Sequence, residues 1–390
     1  MVIPKLALRN IAGAGLRTWL NVIVLSFAYV AIIGTQGLYE GMNRQATRAM
    51  IDYEVGGGQY WVDGYDPYDP FTLEDAHKMV PDQLKSIISE NRATPILIRR
   101  GAIYPHGQIM SVKLKGIDPE QQIIGIPSSV LKRTNEEIPA LIGTRMSKNA
   151  GIEKGDYVTM RWRDANGMFD AIDIRIVEVM KTTVSTIDVG QIWIPLESLR
   201  KMTLLDNEAT IITMDNKYAN ITAYEGWDFK DHDFLLKDIR DMVQMKTVGA
   251  SIMYIILLFL AMIAIFDTQV LSVFKRRKEI GTLIALGMTR WRVVQLFTLE
   301  GAMHGVLAII IAALYGIPLL GWFSKQGWAM PQSIDDYGFA IGEKLFPSYS
   351  LGLVIGTVVI VLLTTIIVSY LPTHKISRIK PTDALKGKSL

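Results

Sequence analysis

Residues 351–371 read LGLVIGTVVIVLLTTIIVSYL, without one charged side chain. In hydrocarbon every backbone N–H and C=O must be bonded inside the protein. An isolated run of this kind therefore has to be a helix, and about 20 such residues cross a bilayer. Three further segments meet the same demand. Residues 251–273 are strongly apolar from Ile252 to Phe266, then turn polar at Asp267, Thr268 and Gln269. Residues 296–323 are strongest from Ala302 to Leu320, and residues 19–39 carry Asn21, Ser26, Thr35 and Gln36. That first segment also invites reading as a signal peptide. Its apolar run is long and no A-x-A cleavage site follows, so an anchor is expected. Apolar residues make up 49% of the 390 and charged ones 20%, too many charges for membrane alone. The expected fold class is an integral membrane α-helical protein with four transmembrane helices and a large α+β extracytoplasmic (periplasmic) domain between helices 1 and 2.

The cations orient the spans. Lys5, Arg9 and Arg17 precede the first, and Lys275, Arg276, Arg277, Lys278, Arg290 and Arg292 lie between the second and third. Lys375, Arg378, Lys380, Lys386 and Lys388 follow the fourth, whereas the segment between spans three and four has Lys325 and Lys344 against Asp335, Asp336 and Glu343. The positive-inside rule puts both termini in the cytoplasm and exports residues 45–245. A net charge of +3 implies no nucleic-acid surface, and the absence of cysteine excludes disulfides, thiolate metal sites and a lipidated N-terminal Cys.

In the exported segment Tyr157–Arg163 and Asp170–Ile176 alternate polar with apolar residues around Asn166-Gly167, a hairpin signal. Gln191–Ile194 reads as a strand, Leu196–Met202 as a short helix after Pro195, and Thr72 with Asp75 as a capping box opening a helix that Pro81 interrupts. Two lobes are expected, with a β-rich insert at about 118–185. Asp231-His232-Asp233 matches a D-x-D pattern but reads as a solvated loop, and Tyr65-Asp66-Pro67-Tyr68-Asp69-Pro70 reads as turns. The five histidines are scattered, and no G-x-S-x-G, H-E-x-x-H or G-x-x-x-x-G-K-[ST] run occurs. No catalytic residue, metal site or cofactor is expected, and the chain by itself is expected not to be an enzyme.

Three ionisable groups fall at membrane depth. Asp267 lies eight residues before Lys275, about 12 Å along a helix. Glu300 sits at a similar depth on span three, and His304 one turn deeper. A proton or ion relay is one reading. Pairing of both acids with Arg276, Arg277 or Arg292 at the cytoplasmic end is the preferred one, since a relay would continue across the bilayer. Between spans two and three, Arg277-Lys278-Glu279-Ile280-Gly281 through Leu283, Ile284, Leu286 and Gly287 reads as a short amphipathic helix. It offers Ile280, Leu283 and Ile284 to a partner outside the membrane. Gly287 is expected to end it and Thr289 to cap the next helix. Small pairs (Gly37/Gly41, Gly301/Gly305, Ala308/Ala312, Gly352/Gly356) suggest close helix packing.

Together these residues resemble the FtsX/MacB-type ABC transporter permease family over nearly the whole chain. Arg277-Lys278-Glu279-Ile280-Gly281, Ala285-Leu286-Gly287 and Glu300-Gly301 are similar to its R-x-x-E-I-G…A-x-G…E-G pattern. Tyr370-Leu371-Pro372 through Ala384-Leu385 resembles its C-terminal motif, with Thr373 in place of a usual Ala, and Leu8-Arg9-Asn10 with Arg17-Thr18 resembles its opening. Gly116-Ile117-Asp118-Pro119-Glu120, Leu141-Ile142-Gly143, Gly155-Asp156 and Asp188 through Leu196 are most similar to the lipoprotein-releasing permeases, in which Asn is usual where Asp267 stands.

The resemblance implies a cytoplasmic N-terminal helix (1–18), spans at 19–41, 248–273, 296–323 and 349–371, and a MacB-like periplasmic core at 42–247. A cytoplasmic coupling helix at 274–295, an extracytoplasmic loop at 324–348 and a cytoplasmic tail at 372–390 complete it. It implies a multi-pass protein of a bacterial inner membrane. Expected partners are a cytoplasmic ABC ATPase dimer that binds ATP-Mg, a second permease copy, a periplasmic lipoprotein, chaperone or adaptor, and membrane lipids. ATPase closure would move the coupling helix, and the spans would carry that motion to the exported lobes. The expected function is extraction of lipoproteins or other hydrophobic substrates from the inner membrane, with MacB-like efflux through an adaptor and outer-membrane channel, or regulation of a periplasmic hydrolase without transport, as alternatives. Lateral access of substrate is expected along span one at Ile33, Gly37, Leu38 and Met42, where Gly34, Gly37 and Gly41 would leave a shallow surface; packing of the polar residues there (Thr35, Gln36, Tyr39, Glu40) against the partner permease is the equal alternative.

Overall fold

The computed structural model describes residues 15–132, 137–182, 184–216, 222–329 and 344–374. The chain forms two compact units. One takes in Met1–Met42, Val243–Trp328 and Leu345–Leu390, the other Asn43–Met242 and Ala329–Lys344.

The first unit is helical, built on α1 (Gly15–Met50) and α2 (Lys237–Lys275), both of which run past its bounds, and on α3 (Arg277–Ala285), α4 (Arg290–Gln326) and α5 (Leu351–His374). Among the described residues, the four long helices are each long and apolar enough to cross a membrane. Their packing is inverted relative to a soluble bundle. Phe259, Leu314, Ile317, Leu351 and Leu363 point outward, while Asn21, Ser26, Gln269, Glu300, His304, Thr365 and Ser369 are buried. Apolar surface of that extent is unstable against water and neutral against lipid. Within the bundle, Val22, Leu25, Tyr29, Met262, Ile265, Ala308, Ala312 and Val361 form the core. Asn21 Nδ2 donates to Ala264 O at 3.2 Å and to Thr268 Oγ1 at 2.5 Å, and the Thr357 hydroxyl donates to Gln36 Oε1 at 3.1 Å. The polar residues that weaken span one's hydropathy thus tie it to its neighbours.

The second unit is α+β. Its sheet has nine strands: β1 (Gln59–Val62), β2 (Ala93–Ile103), β3 (Met110–Ile117), β4 (Ile138–Gly143), β5 (Tyr157–Arg163), β6 (Phe169–Met180), β7 (Gln191–Pro195), β8 (Ile211–Met214) and β9 (Trp227–Lys230). They run in the order β9-β1-β8-β2-β3-β7-β4-β6-β5, and β5 pairs back onto β2, closing the last six strands into a barrel. Leu97, Val112, Leu114, Ile142, Met160, Trp162, Ile174 and Ile194 fill a shared core there. Tyr60, Leu84, Ile212 and Trp227 form a second core around β1, β8 and β9. The 118–185 insert boundary is not the structural one. β2 pairs with β8 through its first residues and with β3 and β5 through its last, so one long strand belongs to both lobes.

Two local readings also change. Thr72–Glu74 is a single 3-10 turn, and the helix here is Asp82–Ser89, beginning directly after Pro81. Pro81 caps that helix from outside, its carbonyl accepting from Leu84 N and Lys85 N while the N–H it lacks would have had no intrahelical partner. Asp231 is a cap: its carboxylate accepts from Phe234 N at 2.8 Å and opens the turn His232–Leu235. The Asn166-Gly167 hairpin forms with Asp164 Oδ1 accepting from Asn166 N and Met168 N, and Gly167 sits at φ +83°.

Candidate coupling site

Arg276 links α2 to α3 and organises this corner. Its Nε and Nη2 donate to the two Glu279 oxygens at 2.6 and 2.7 Å, and its Nη1 donates to both Glu300 oxygens at 2.9 and 2.8 Å. Its guanidinium lies 4.6 Å over the Phe297 ring. One side chain thus clamps the start of α3 to a carboxylate on α4 whose side chain is only 8% exposed. Glu279 occupies the first turn of α3, where the helix dipole favours a negative charge. The Arg276 fork holds its carboxyl below the usual range, while partial burial opposes that. Gly287 ends the segment at φ +95°, with its N–H on Ile284 O and Met288 N–H on Leu283 O. Thr289 then accepts from Arg292 N at 3.4 Å and starts α4.

The apolar face of α3 does not look outward. Ile280 is 0% exposed and packs with Val273, Val293, Val294 and Phe297, while Leu283, Ile284, Met288 and Tyr370 close over that cluster. The face is buried against its own bundle because four apolar residues, Val273 on α2 and Val293, Val294 and Phe297 on α4, already wait there. Lys278, Glu279, Thr282, Ala285 and Leu286 are exposed, Leu286 at 80%. Gly281 is buried beside Ile280, and Arg277 stacks at 4.3 Å on Phe274.

Of Asp267 and Glu300, only Glu300 has an ion-pair partner among the described residues. Asp267 is exposed on α2, and no ion pair to it occurs among the described residues. The expected pairing of Asp267 fails because its carboxylate lies on the outward side of α2 while Gln269 turns inward. His304 is buried on the same helix as Glu300, with Nδ1 at 3.0 Å from Glu300 O and 3.2 Å from Gly301 O. Among the described residues its Nε2, Gln269 Oε1 and Ser369 Oγ have no hydrogen-bond partner. A Cβ on Gly301 would lie 2.2 Å from Ser369 Oγ and 3.0 Å from Gln269 Nε2, so this glycine lets α2, α4 and α5 meet. Sequence reading missed Ser369; the repeat Thr365, Ser369, Thr373 at i, i+4 was its signal. Thr373 is bonded to Thr298 through their hydroxyls at 2.8 Å, which gives that departure from Ala a packing reason. The tail motif beyond His374 and the cations before Gly15 lie outside the described residues.

The shallow surface expected along span one is filled. A Cβ on Gly37 would fall 2.1 Å from the Tyr349 ring, one on Gly41 2.2 Å from Phe346 O, and one on Gly34 3.3 Å from Leu320. Met42 is buried at 6% exposure, and Ile33 and Leu38 are half-buried. Glycines there admit neighbouring chain rather than leave a groove.

Residues 251–381 match the FtsX-like permease C-terminal family. That match falls on the C-terminal part of the chain, and the chain is also similar to proteins of ABC transporters. It is similar to the macrolide export ATP-binding/permease protein MacB of Psychrobacter cryohalolentis, 20% identical across 98% of this chain and 59% of that protein. It is also similar to the lipoprotein-releasing system transmembrane protein LolC of Neisseria meningitidis, 20% identical across 76% of this chain and 80% of that one. The chain therefore spans 59% of the length of the MacB relative. The crystal structure of the extracellular domain of the noncanonic ABC-type transporter YknZ from Gram-positive bacteria aligns with 42% of this chain and 83% of its own at 11% identity and a TM-score of 0.25.

Proposed function

We propose that this chain is the permease subunit of an ABC transporter, coupling ATP hydrolysis by a cytoplasmic ATPase dimer to motion of an exported α+β domain. The supporting observation is the Arg276 clamp. A push on α3 reaches Glu300 through two charge-assisted contacts instead of dissipating in a loop. The docking face is the exposed set Lys278, Thr282, Ala285 and Leu286, with Ile280, Leu283 and Ile284 transmitting force from behind. ATP-Mg belongs to the ATPase, and the permease works as two copies or with a homologue. The 43–242 unit faces the periplasm of a bacterial inner membrane, with both termini cytoplasmic, as the cation distribution favours. It handles a hydrophobic cargo, a lipoprotein or an amphiphile taken from the outer leaflet.

Efflux with a periplasmic adaptor is the second reading, favoured by the MacB relative matching 98% of the chain where LolC matches 76%. Reconstitution with the cognate ATPase tests the common core. Leu286→Asp is expected to abolish ATPase binding while the melting temperature of the permease is unchanged. Undiminished, cargo-stimulated ATPase activity in that variant would sink the assignment. Crosslinking cargo in the assembled complex separates lipoprotein from small amphiphile.

A further inference from the structure

On the outer face of the barrel, three polar residues stand side by side on adjacent strands. Arg100 on β2 is the register partner of Lys113 on β3, which is the register partner of Gln191 on β7. Neighbouring strands are about 4.8 Å apart, so the row is about 10 Å across, one anionic group wide with room for a second contact. The row lines a cavity of about 440 Å³, whose other walls include Leu73 and Val189. Cavities that hold small molecules begin near this volume, and they combine apolar walls with a few convergent polar groups.

The charges of this row are unbalanced. Lys115, two residues along β3, is matched by Glu54 at 3.3 Å. Among the described residues neither Arg100 nor Lys113 has a carboxylate within ion-pair distance. Lys113 Nζ donates to a carbonyl, Pro67 O at 3.0 Å, and Arg100 stands 5.9 Å over the Phe71 ring. Burial holds the Lys113 amine below its ordinary value and the Lys115 charge adds to that, while the Glu54 carboxylate opposes it. Gln191 is 94% buried by its 6% exposure, and its Oε1 has no partner among the described residues. A half-buried ammonium beside an exposed guanidinium, on the rim of a cavity that Gln191 also lines, favours an anionic ligand.

We propose that this cavity is a binding site for an anionic group, a phosphate or phosphate ester, held between Arg100 and Lys113 with Gln191 meeting a hydroxyl or amide beside it. The apolar walls admit a short hydrocarbon arm on the same molecule. A lipid headgroup and a free phosphate offer the same chemistry to the row. The inference goes beyond the permease assignment and does not depend on it, because binding is read directly and without an ATPase.

The test is calorimetric titration of the full chain in phosphatidylcholine nanodiscs, which supply no anionic lipid. The probes are inorganic phosphate and dihexanoyl phosphatidic acid below its micelle concentration. Saturable binding of at least one probe is expected, weakened about tenfold or more in Lys113→Met and in Arg100→Ala, in line with loss of a charge-assisted contact. Lys113→Arg is expected to retain binding, and Val189→Trp, a change in an exposed loop, to block it by filling the cavity. Equal affinity for the two probes identifies a free-anion site; tighter binding of the lipid identifies a headgroup site. Absence of binding by either probe at about 10 mM overturns the proposal. So does wild-type affinity in both Lys113→Met and Val189→Trp, each first shown to melt at the wild-type temperature.

Discussion

Arg276→Met is the sharpest probe of the coupling corner. The Glu300 side chain is 8% exposed and its two oxygens are met by Arg276 Nη1 at 2.9 and 2.8 Å. Removing the guanidinium leaves that carboxylate buried and uncompensated, a loss of about 3–5 kcal/mol. The Glu279 contact adds less. Its side chain is 50% exposed, so the fork is worth about 0.2–1 kcal/mol after solvent screening. The variants should therefore rank clearly. Arg276→Met costs about 3–5 kcal/mol and Glu279→Gln at most about 1 kcal/mol. Arg276→Met combined with Glu300→Leu recovers most of the loss, because both charges leave together and an apolar pair packs beside Phe297. Reversible denaturation of the purified chain in mild detergent, run as a double-mutant cycle, reads all three. The reasoning is refuted if the double variant is no more stable than Arg276→Met alone. It is refuted equally if Glu279→Gln proves the costlier single change.

Three further outcomes are expected. Leu283→Asp should lower stability by about 2–4 kcal/mol, since it drives a charge into the cluster around Ile280, whereas exposed Leu286→Asp should leave the melting temperature unmoved. Gly37→Leu should cost about 1–3 kcal/mol or prevent assembly, because the Tyr349 ring occupies the space, while Gly356→Ala, with nothing within 4 Å, should be neutral in the same melt. Glu279 has a depressed carboxyl pKa, so its contribution is fully present above the unfolded value of 4.5 and is lost as pH falls through the lower folded value. Stability measured from pH 7 downward should show a small extra loss below that value in the wild type, and the loss should be missing in Glu279→Gln.

Long-range contacts decided what periodicity left open. Four helices were legible because a charge-free run as long as 351–371 has one stable backbone in lipid, and that needs no tertiary information. The end of α3 at Gly287 and the cap at Thr289 were legible for the same reason: each depends on residues within four positions. The hairpin around Asn166-Gly167 is equally local. The direction in which α3 turns its apolar stripe was not. An amphipathic helix states that one side is covered and is silent about what covers it, and here Val273, Val293, Val294 and Phe297 cover it. Gly37 and Gly41 pose the same ambiguity, since a glycine reads alike whether it opens a groove or admits a Tyr349 ring. Asp267 and Glu300 stand at similar depth in the sequence, and only helix rotation gives Glu300 its arginine and leaves Asp267 outside. The row Arg100, Lys113, Gln191 spans 92 positions of chain and exists only because β3 pairs antiparallel with β2 and parallel with β7. Strand register places those side chains together, and register is a property of the folded sheet rather than of any one strand.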